Sequence, residues 1–140
     1  MNTKVLIVAA NYYKDITKGL LNGATNFLKT NNIDYDIIYV PGAFEISLTI
    51  KHNIKKNLYK GYVTLGCIIK GDTIHFDLLS QQTIYSINKL MIDFDVPISF
   101  GVLTCNNIKE AEIRSEENSN KNKGIEAASA CLEMINILKK

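Results

Sequence analysis

The chain has 140 residues, of which 46% are hydrophobic and 21% are charged, and its formal net charge is +2. This length suits a single domain, residues 1–140, that buries its own core without disulfides. So small a net charge gives no support for nucleic-acid binding. The sequence also has no apolar run long enough to span a bilayer. We therefore expect small-molecule partners, no nucleic acid and no membrane contact.

The three cysteines indicate the compartment. Cys67, Cys105 and Cys131 lie within apolar runs and form no C-x-x-C pair. Cysteines in this setting are typical of reduced core residues rather than of disulfides or metal ligands. The first residues contain neither the basic segment nor the cleavage site of a secretory signal. These features predict a cytoplasmic protein without a metal site.

Short apolar runs rich in β-branched residues alternate with segments of helical periodicity. The apolar runs predict four strands, at residues 5–9, 36–40, 62–69 and 97–103. The spacing predicts a first helix with an apolar face of Leu20, Leu21, Ala24, Phe27 and Leu28. Further helices are predicted at residues 43–56, 75–93 and 107–116, and a last one with an apolar face of Ala128, Cys131, Leu132, Ile135 and Leu138.

This alternation of strands and helices predicts the α/β class. Right-handed crossovers would place helices on both faces of a four-stranded parallel sheet, in a flavodoxin-like three-layer α/β/α sandwich. In such folds ligands bind at the carboxyl ends of the strands. Four loops are therefore expected at one edge of the sheet: residues 10–13, 41–45, 70–75 and 104–107.

The loop at residues 70–75 is the most informative of the four. An apolar strand stops at Lys70-Gly71, and Asp72 and Thr73 are residues that begin helices and leave backbone N–H groups free. Such a turn suits an anion. His75 follows in the first helical turn, and histidine exchanges protons near neutral pH. The segment predicts acid–base catalysis beside a phosphate, with a capped helix and a surface histidine as the alternative.

Four other residues allow two interpretations each. Tyr12 could stack on a flat heterocycle or pack at the sheet edge. Glu45 could contact a ligand or complement a helix dipole. Arg114, the only arginine in the sequence, could bind phosphate through its planar guanidinium or lie in solvent. Lys123, in a run of amides, could face a ligand or begin a solvated helix.

Several segments follow one another in the order of a known family: PGAFE at 41–45, KGDTIHFD at 70–77, FGVLT at 100–104, Arg114, and NKG at 122–124. With the closing helix at 130–138, they resemble the 6,7-dimethyl-8-ribityllumazine synthase family over nearly the whole chain. That family condenses 5-amino-6-ribitylaminouracil with 3,4-dihydroxy-2-butanone 4-phosphate, releasing phosphate and water in the penultimate step of riboflavin synthesis. The resemblance implies an enzyme that uses neither a metal nor an organic cofactor.

The resemblance also assigns roles. It implies that ribitylaminouracil binds at Tyr12, Ala43, Phe44, Glu45, Cys67, Ile68, Ile69, Phe100 and Lys123. It implies that Asp72, Thr73 and Arg114 bind the butanone phosphate and that His75 transfers protons. Members of the family form pentamers and sometimes sixty-subunit shells, with each pocket shared between neighbouring subunits. We therefore expect self-association into pentamers.

The loop after the first strand bears on two other classes of protein with this alternation of strands and helices. A flavodoxin-like electron carrier needs a glycine- and hydroxyl-rich loop after the first strand, and a receiver domain needs acidic residues there. The sequence at that point is Ala-Ala-Asn-Tyr-Tyr, which provides neither. A non-catalytic shell-forming or flavin-binding α/β protein remains the alternative to an enzyme. The family most often has phenylalanine or tryptophan at Tyr12, and the segment between Arg114 and Lys123 is one residue longer here than in many relatives.

Overall fold

The computed structural model describes residues 3–139. Within them a sheet is formed by β1 (Lys4–Ala10), β2 (Asp34–Val40), β3 (Gly61–Ile69) and β4 (Ile98–Cys105). The strands pair in parallel in the order β2-β1-β3-β4. Each predicted strand agrees with an observed one to within two residues at either end; β1, β3 and β4 are mostly buried, whereas β2, at the sheet edge, is mostly half-buried.

The α-helices of the described residues are α1 (Lys14–Thr30), α2 (Ile46–Ile54), α3 (His75–Phe94), α4 (Ile108–Ile113) and α5 (Lys123–Leu138). One apolar cluster lies between the sheet and α1, α4 and α5, and a second lies between the sheet and α2 and α3. The predicted three-layer α/β/α sandwich is confirmed. Within residues 3–139, no helix is both long and apolar enough to cross a membrane.

The central strands have side chains in both clusters. In β1, Val5, Ile7 and Ala9 face α1 and α5, whereas Leu6 and Val8 face α2 and α3. Because both faces are covered, the strand is an unbroken apolar run rather than an alternating one. All strands are parallel, so their carboxyl ends lie along one edge of the sheet.

Helices α1 and α5 approach one another closely. A Cβ atom on Gly124 would overlap the carbonyl group of Leu20, so only glycine fits there. Asn122, which is buried, caps α5 by accepting from the backbone N–H of Ile125 at 3.1 Å. Its side-chain amide donates to the Gly19 carbonyl at 3.1 Å. These contacts hold the start of α5 against α1, and Lys123 is the first residue of α5.

Two of the predicted helices are shorter than expected. The prediction at residues 43–56 was wrong at both ends: Ala43–Glu45 is a 3-10 turn, and α2 ends at Ile54. Glu45 is the residue that precedes α2, not part of its first turn. The helix ends where the chain turns through Asn57, whose φ of 54° is left-handed.

The helix predicted at residues 107–116 is also shorter, since α4 ends at Ile113 and Arg114 is its C-cap. The physical reason is a competing hydrogen bond, because the backbone N–H of Lys123 donates to the Arg114 carbonyl at 2.9 Å. The chain therefore turns toward α5 at this point. In α5, Ile135 is the last buried residue of the predicted apolar face, and Leu138, at the end of the helix, is 50% exposed.

Candidate active site

A cavity of about 520 Å³ lies at the carboxyl ends of β1, β2 and β3. We call it the His75 pocket. It is lined by Tyr12, Tyr13, Gly42, Ala43, Phe44, Cys67, Ile68, Ile69, His75 and Leu79. The structure thus brings seven of the sequence-predicted site residues together. Tyr13, Gly42 and Leu79 were not predicted, although Tyr13 follows Tyr12 directly and Leu79 lies one helical turn after His75.

The loop that carries Tyr12 is held at several points. The backbone N–H of Asn11 donates to the Val40 carbonyl at 2.9 Å. Thr17, fully buried, donates from its hydroxyl to the Ala10 carbonyl at 2.8 Å and from its backbone N–H to the Tyr13 carbonyl at 2.9 Å. The Tyr12 side chain nevertheless remains 73% exposed at the pocket. The backbone places an exposed aromatic ring beside the apolar floor of the cavity.

His75 is the first residue of α3, and its backbone N–H donates to the Thr73 hydroxyl at 3.2 Å. The N-cap residue of α3 is Ile74, so neither Asp72 nor Thr73 begins the helix as expected. Only Thr73 contributes to the helix start, through the hydrogen bond that its hydroxyl accepts from His75. The backbone N–H of Lys70 donates to the Cys105 carbonyl at 2.9 Å and fixes the start of the loop. Within residues 3–139, no backbone carbonyl accepts from the N–H groups of residues 71–74. These groups are available to an anion.

Glu45, Asp72 and Thr73 lie beside the His75 pocket rather than in its lining. All three are exposed. The Glu45 carboxylate turns back toward Gly42, where Oε1 is 3.3 Å from the position a Cβ would occupy. Asp72 and Thr73 lie on the loop between β3 and α3. The three residues therefore lie on the two loops that supply Ala43, Phe44 and His75 to the lining, and not in the lining itself.

A second cavity, of about 640 Å³, lies along β4, α4 and α5, and we call it the Arg114 pocket. Its lining consists of Phe100, Val102, Leu103, Thr104, Cys105, Glu110, Ile113, Arg114, Lys121, Lys123 and Glu126. It shares no lining residue with the His75 pocket. Within one chain, Phe100, Arg114 and Lys123 therefore lie in a different cavity from His75, on the side of the edge strand β4.

Two basic groups of the Arg114 pocket contact other residues of its lining. Arg114 donates from Nη1 to the Glu110 carbonyl at 3.2 Å. Lys123 Nζ is 3.1 Å from Oε1 of Glu126. Glu110 and Glu126 were not predicted as site residues, since acidic residues on exposed helices give no sequence signal of a pocket. The lining combines three cations, Arg114, Lys121 and Lys123, with the carboxylates of Glu110 and Glu126, which limit its net positive charge.

The thiols beside these cavities are not suited to nucleophilic catalysis. Burial, with Cys105 nearby, raises the pKa of Cys67 to about 12, and burial also raises the pKa of Cys105. The neutral thiol is a poor nucleophile. Histidine exchanges protons near neutral pH, so His75 is the residue of its pocket best suited to acid–base chemistry. Within residues 3–139, no group of three or more His, Cys, Asp or Glu side chains is placed to hold a metal ion.

Comparison with known proteins agrees with this geometry. The family model for 6,7-dimethyl-8-ribityllumazine synthase matches residues 2–139. The chain belongs to this family. The 6,7-dimethyl-8-ribityllumazine synthase of Leuconostoc mesenteroides is 44% identical over 97% of this chain and 88% of its own length. Those of Bartonella bacilliformis and Limosilactobacillus reuteri are 39% and 37% identical, over 100% and 97% of this chain and 93% and 90% of their own lengths. Membership of the lumazine synthase family makes the chain a riboflavin-biosynthesis enzyme.

Proposed function

We propose that residues 1–140 act as a single domain that condenses 5-amino-6-ribitylaminouracil with 3,4-dihydroxy-2-butanone 4-phosphate in the His75 pocket, completed by the Arg114 pocket of a neighbouring subunit. The observation that carries this proposal is the separation of the two cavities. One holds a proton-transfer residue and an exposed aromatic ring, and the other holds the only arginine of the chain. Neither cavity has both groups.

The pyrimidine substrate suits the His75 pocket. The exposed ring of Tyr12 can stack on a flat heterocycle. Cys67, Ile68 and Ile69 line the pocket at the end of β3, where their backbone polar groups can bind the edge of that heterocycle. The 3-10 turn Ala43–Glu45 adds an exposed carboxylate that can accept hydrogen bonds from a polyol chain. Phe100 and Lys123, from the neighbouring subunit, would enclose the other side of the ring.

The phosphate of the second substrate suits the loop at residues 71–74 and Arg114. The free backbone N–H groups of the loop lie immediately before the N-terminus of α3, whose dipole favours an anion. A guanidinium can then bind two phosphate oxygens at once. Asp72 has the wrong charge for this task, so it would contribute its backbone N–H rather than its side chain.

The reaction requires proton transfers that His75 is placed to perform. The amine of the pyrimidine attacks the ketone carbonyl of the butanone phosphate, and the carbinolamine loses water to give an imine. His75 would accept the proton from the amine and donate one to the departing hydroxyl. Loss of the proton on C3 of the butanone chain then expels phosphate, which leaves with the C–O bond electrons while Arg114 and the loop would hold its charge, and the enol so formed becomes a ketone. Ring closure by the ribitylamino nitrogen and loss of a second water complete the product. Each of these steps is an addition, a proton transfer or an elimination, and none needs an external oxidant or reductant, so we propose that no organic cofactor or metal takes part.

The surface around the His75 pocket supports self-association. Phe44 and Leu48 are 76% and 74% exposed, and Ile74 and Leu78, at the start of α3, are also exposed. Exposed apolar side chains grouped in this way are typical of interaction surfaces. We propose a pentamer in which this surface meets the Arg114 pocket of the next subunit. The three free buried cysteines support a reducing, cytoplasmic location.

Activity can be tested with purified protein and the two substrates alone. We expect the absorbance of the lumazine chromophore to grow at a rate above that of the uncatalysed condensation, and we expect EDTA to leave this rate unchanged. The His75→Ala variant, in the same assembled state, is the matched control. A wild-type rate equal to the uncatalysed one would contradict the proposal and favour a non-catalytic shell or flavin-binding protein.

A further inference from the structure

The Tyr12 ring has one aromatic neighbour within the described residues, Tyr13. The two ring centroids are 5.0 Å apart and the ring planes are inclined by 73°, so the contact is edge-to-face. Both rings line the His75 pocket. The geometry is the one that aromatic quadrupoles favour. It leaves a face of Tyr12 free for another ring.

The two tyrosines differ in how firmly the fold holds them. Tyr12 is 73% exposed, whereas Tyr13 is half-buried and packs against the cluster between the sheet and α1 and α5. Tyr13 is also the N-cap residue of α1, and its carbonyl accepts from the backbone N–H of Thr17 at 2.9 Å. Burial raises the pKa of Tyr13, as expected for a side chain directed into the protein. Tyr13 is therefore the partner that the fold holds in place, and Tyr12 is the exposed one.

We propose that Tyr13 is a positioning residue whose edge-to-face contact holds the Tyr12 ring in the orientation that stacks on the pyrimidine substrate. An exposed tyrosine samples several side-chain rotamers, and binding must select one of them. A neighbouring side chain that already favours the bound rotamer lowers the conformational entropy lost on binding. It therefore strengthens binding without touching the ligand. The inference rests on the proposed stacking role of Tyr12.

The test is a double-mutant cycle in the assembled enzyme. Four variants are compared with wild type: Tyr13→Leu, Tyr13→Phe, Tyr12→Ala and the double variant Tyr12→Ala/Tyr13→Leu. The readout is KM and kcat for ribitylaminouracil at saturating butanone phosphate. We expect Tyr13→Leu to raise KM about 2- to 10-fold with little change in kcat, from the usual strength of an aromatic pair. Tyr13→Phe keeps the ring and should resemble wild type.

The decisive comparison is the effect of Tyr13→Leu when Tyr12 is already alanine. If Tyr13 acts through Tyr12, the second substitution adds no further rise in KM. An equal rise in both backgrounds would overturn the inference, because Tyr13 would then act directly or through the fold. An unchanged KM for Tyr13→Leu alone, or a Tyr13→Phe variant as impaired as Tyr13→Leu, would overturn it as well.

Two further outcomes are separable from these. A Tyr12→Ala variant with wild-type KM would refute the stacking role of Tyr12, and with it the positioning role of Tyr13, while the roles proposed for His75 and Arg114 would stand. If Tyr13→Leu does not assemble, as judged by sedimentation and thermal unfolding, Tyr13→Met retains apolar bulk without an aromatic ring and takes its place in the same cycle.

Discussion

The two pockets of this chain differ in construction. The His75 pocket is built mainly from apolar side chains and backbone at the ends of three strands, where the loops are tied to the sheet by buried hydrogen bonds. The Arg114 pocket is built on the edge strand β4 and on the ends of two helices, and its lining carries charges of both signs. In the proposed site each substrate contacts both surfaces: the pyrimidine lies in the His75 pocket and is enclosed by Phe100 and Lys123, and the phosphate lies between the loop at residues 71–74 and Arg114. The difference in construction therefore fits two halves of one site that meet only in an assembly.

The largest expected effect is recovery of activity by mixing two inactive variants. His75→Ala should lower turnover by about 10- to 1,000-fold, since water can replace part of a general acid–base group. Arg114→Ala should lower activity at least about 100-fold, because it removes charged hydrogen bonds to phosphate. If the variants are dissociated, mixed in equal amounts and reassembled, about one quarter of the interfaces in a closed ring pair an intact His75 with an intact Arg114. We expect about that fraction of wild-type activity.

The control for this experiment is each variant taken alone through the same dissociation and reassembly. Mixed assembly can be verified by giving one variant a tag and detecting the other in the purified rings. Activity that stays at the level of the single variants, in rings shown to be mixed, would mean that each subunit completes its own pocket. The two cavities would then not be the two halves of one active site shared between subunits.

Much of this architecture could be predicted from the sequence because it depends on local patterns. The buried runs of β1 and β3 are continuous and apolar, so their strands were predicted almost to the residue. His75 was placed at the start of a helix because Gly71 interrupts the preceding strand and polar residues follow it. These signals arise from neighbours in sequence, which is why they are visible without a structure.

What could not be predicted depends on contacts between distant parts of the chain. The end of α4 is set by a hydrogen bond from Lys123 to the carbonyl of Arg114, which no helical periodicity reveals. Asn122 reads as one amide in a polar loop, yet it is buried and joins α5 to α1. Nor does spacing show that Phe100 and Arg114 face a different cavity from His75, because that follows from β4 lying at the sheet edge.

The next expected effect concerns the charge geometry of the Arg114 pocket. Arg114→Lys keeps the positive charge but loses the planar fork, so we expect KM for the butanone phosphate to rise about 5- to 30-fold while KM for the pyrimidine changes little. Lys109→Met is the matched control, because it removes a positive charge from α4 at a residue outside the pocket lining. Wild-type kinetics for Arg114→Lys would show that Arg114 does not bind the phosphate.

A smaller effect is expected at the ion pair of the same pocket. Lys123 and Glu126 are 3.1 Å apart, and Glu126 is largely exposed, so the pair contributes little on its own. We expect Glu126→Gln to change KM for ribitylaminouracil less than about 3-fold, whereas Lys123→Met, which removes the cation itself, should raise it about 5-fold or more. Equal effects of the two substitutions would indicate that Lys123 acts only as the partner of Glu126. Thermal unfolding of both variants separates binding from stability.

The smallest expected effect on activity is that of alkylation at Cys67, in the His75 pocket. Its pKa of about 12 keeps the thiol protonated at mildly alkaline pH, because the reactive thiolate forms only as the pH approaches that value. We expect iodoacetamide at about pH 8 to modify Cys67 at least about 100-fold more slowly in the native enzyme than in the urea-unfolded chain, and to leave activity unchanged over that time. Mass spectrometry of the peptides gives the site and rate of modification. Rapid loss of activity with alkylated Cys67 would show that this thiol is exposed as a thiolate. The His75 pocket would then not be apolar and uncharged at Cys67.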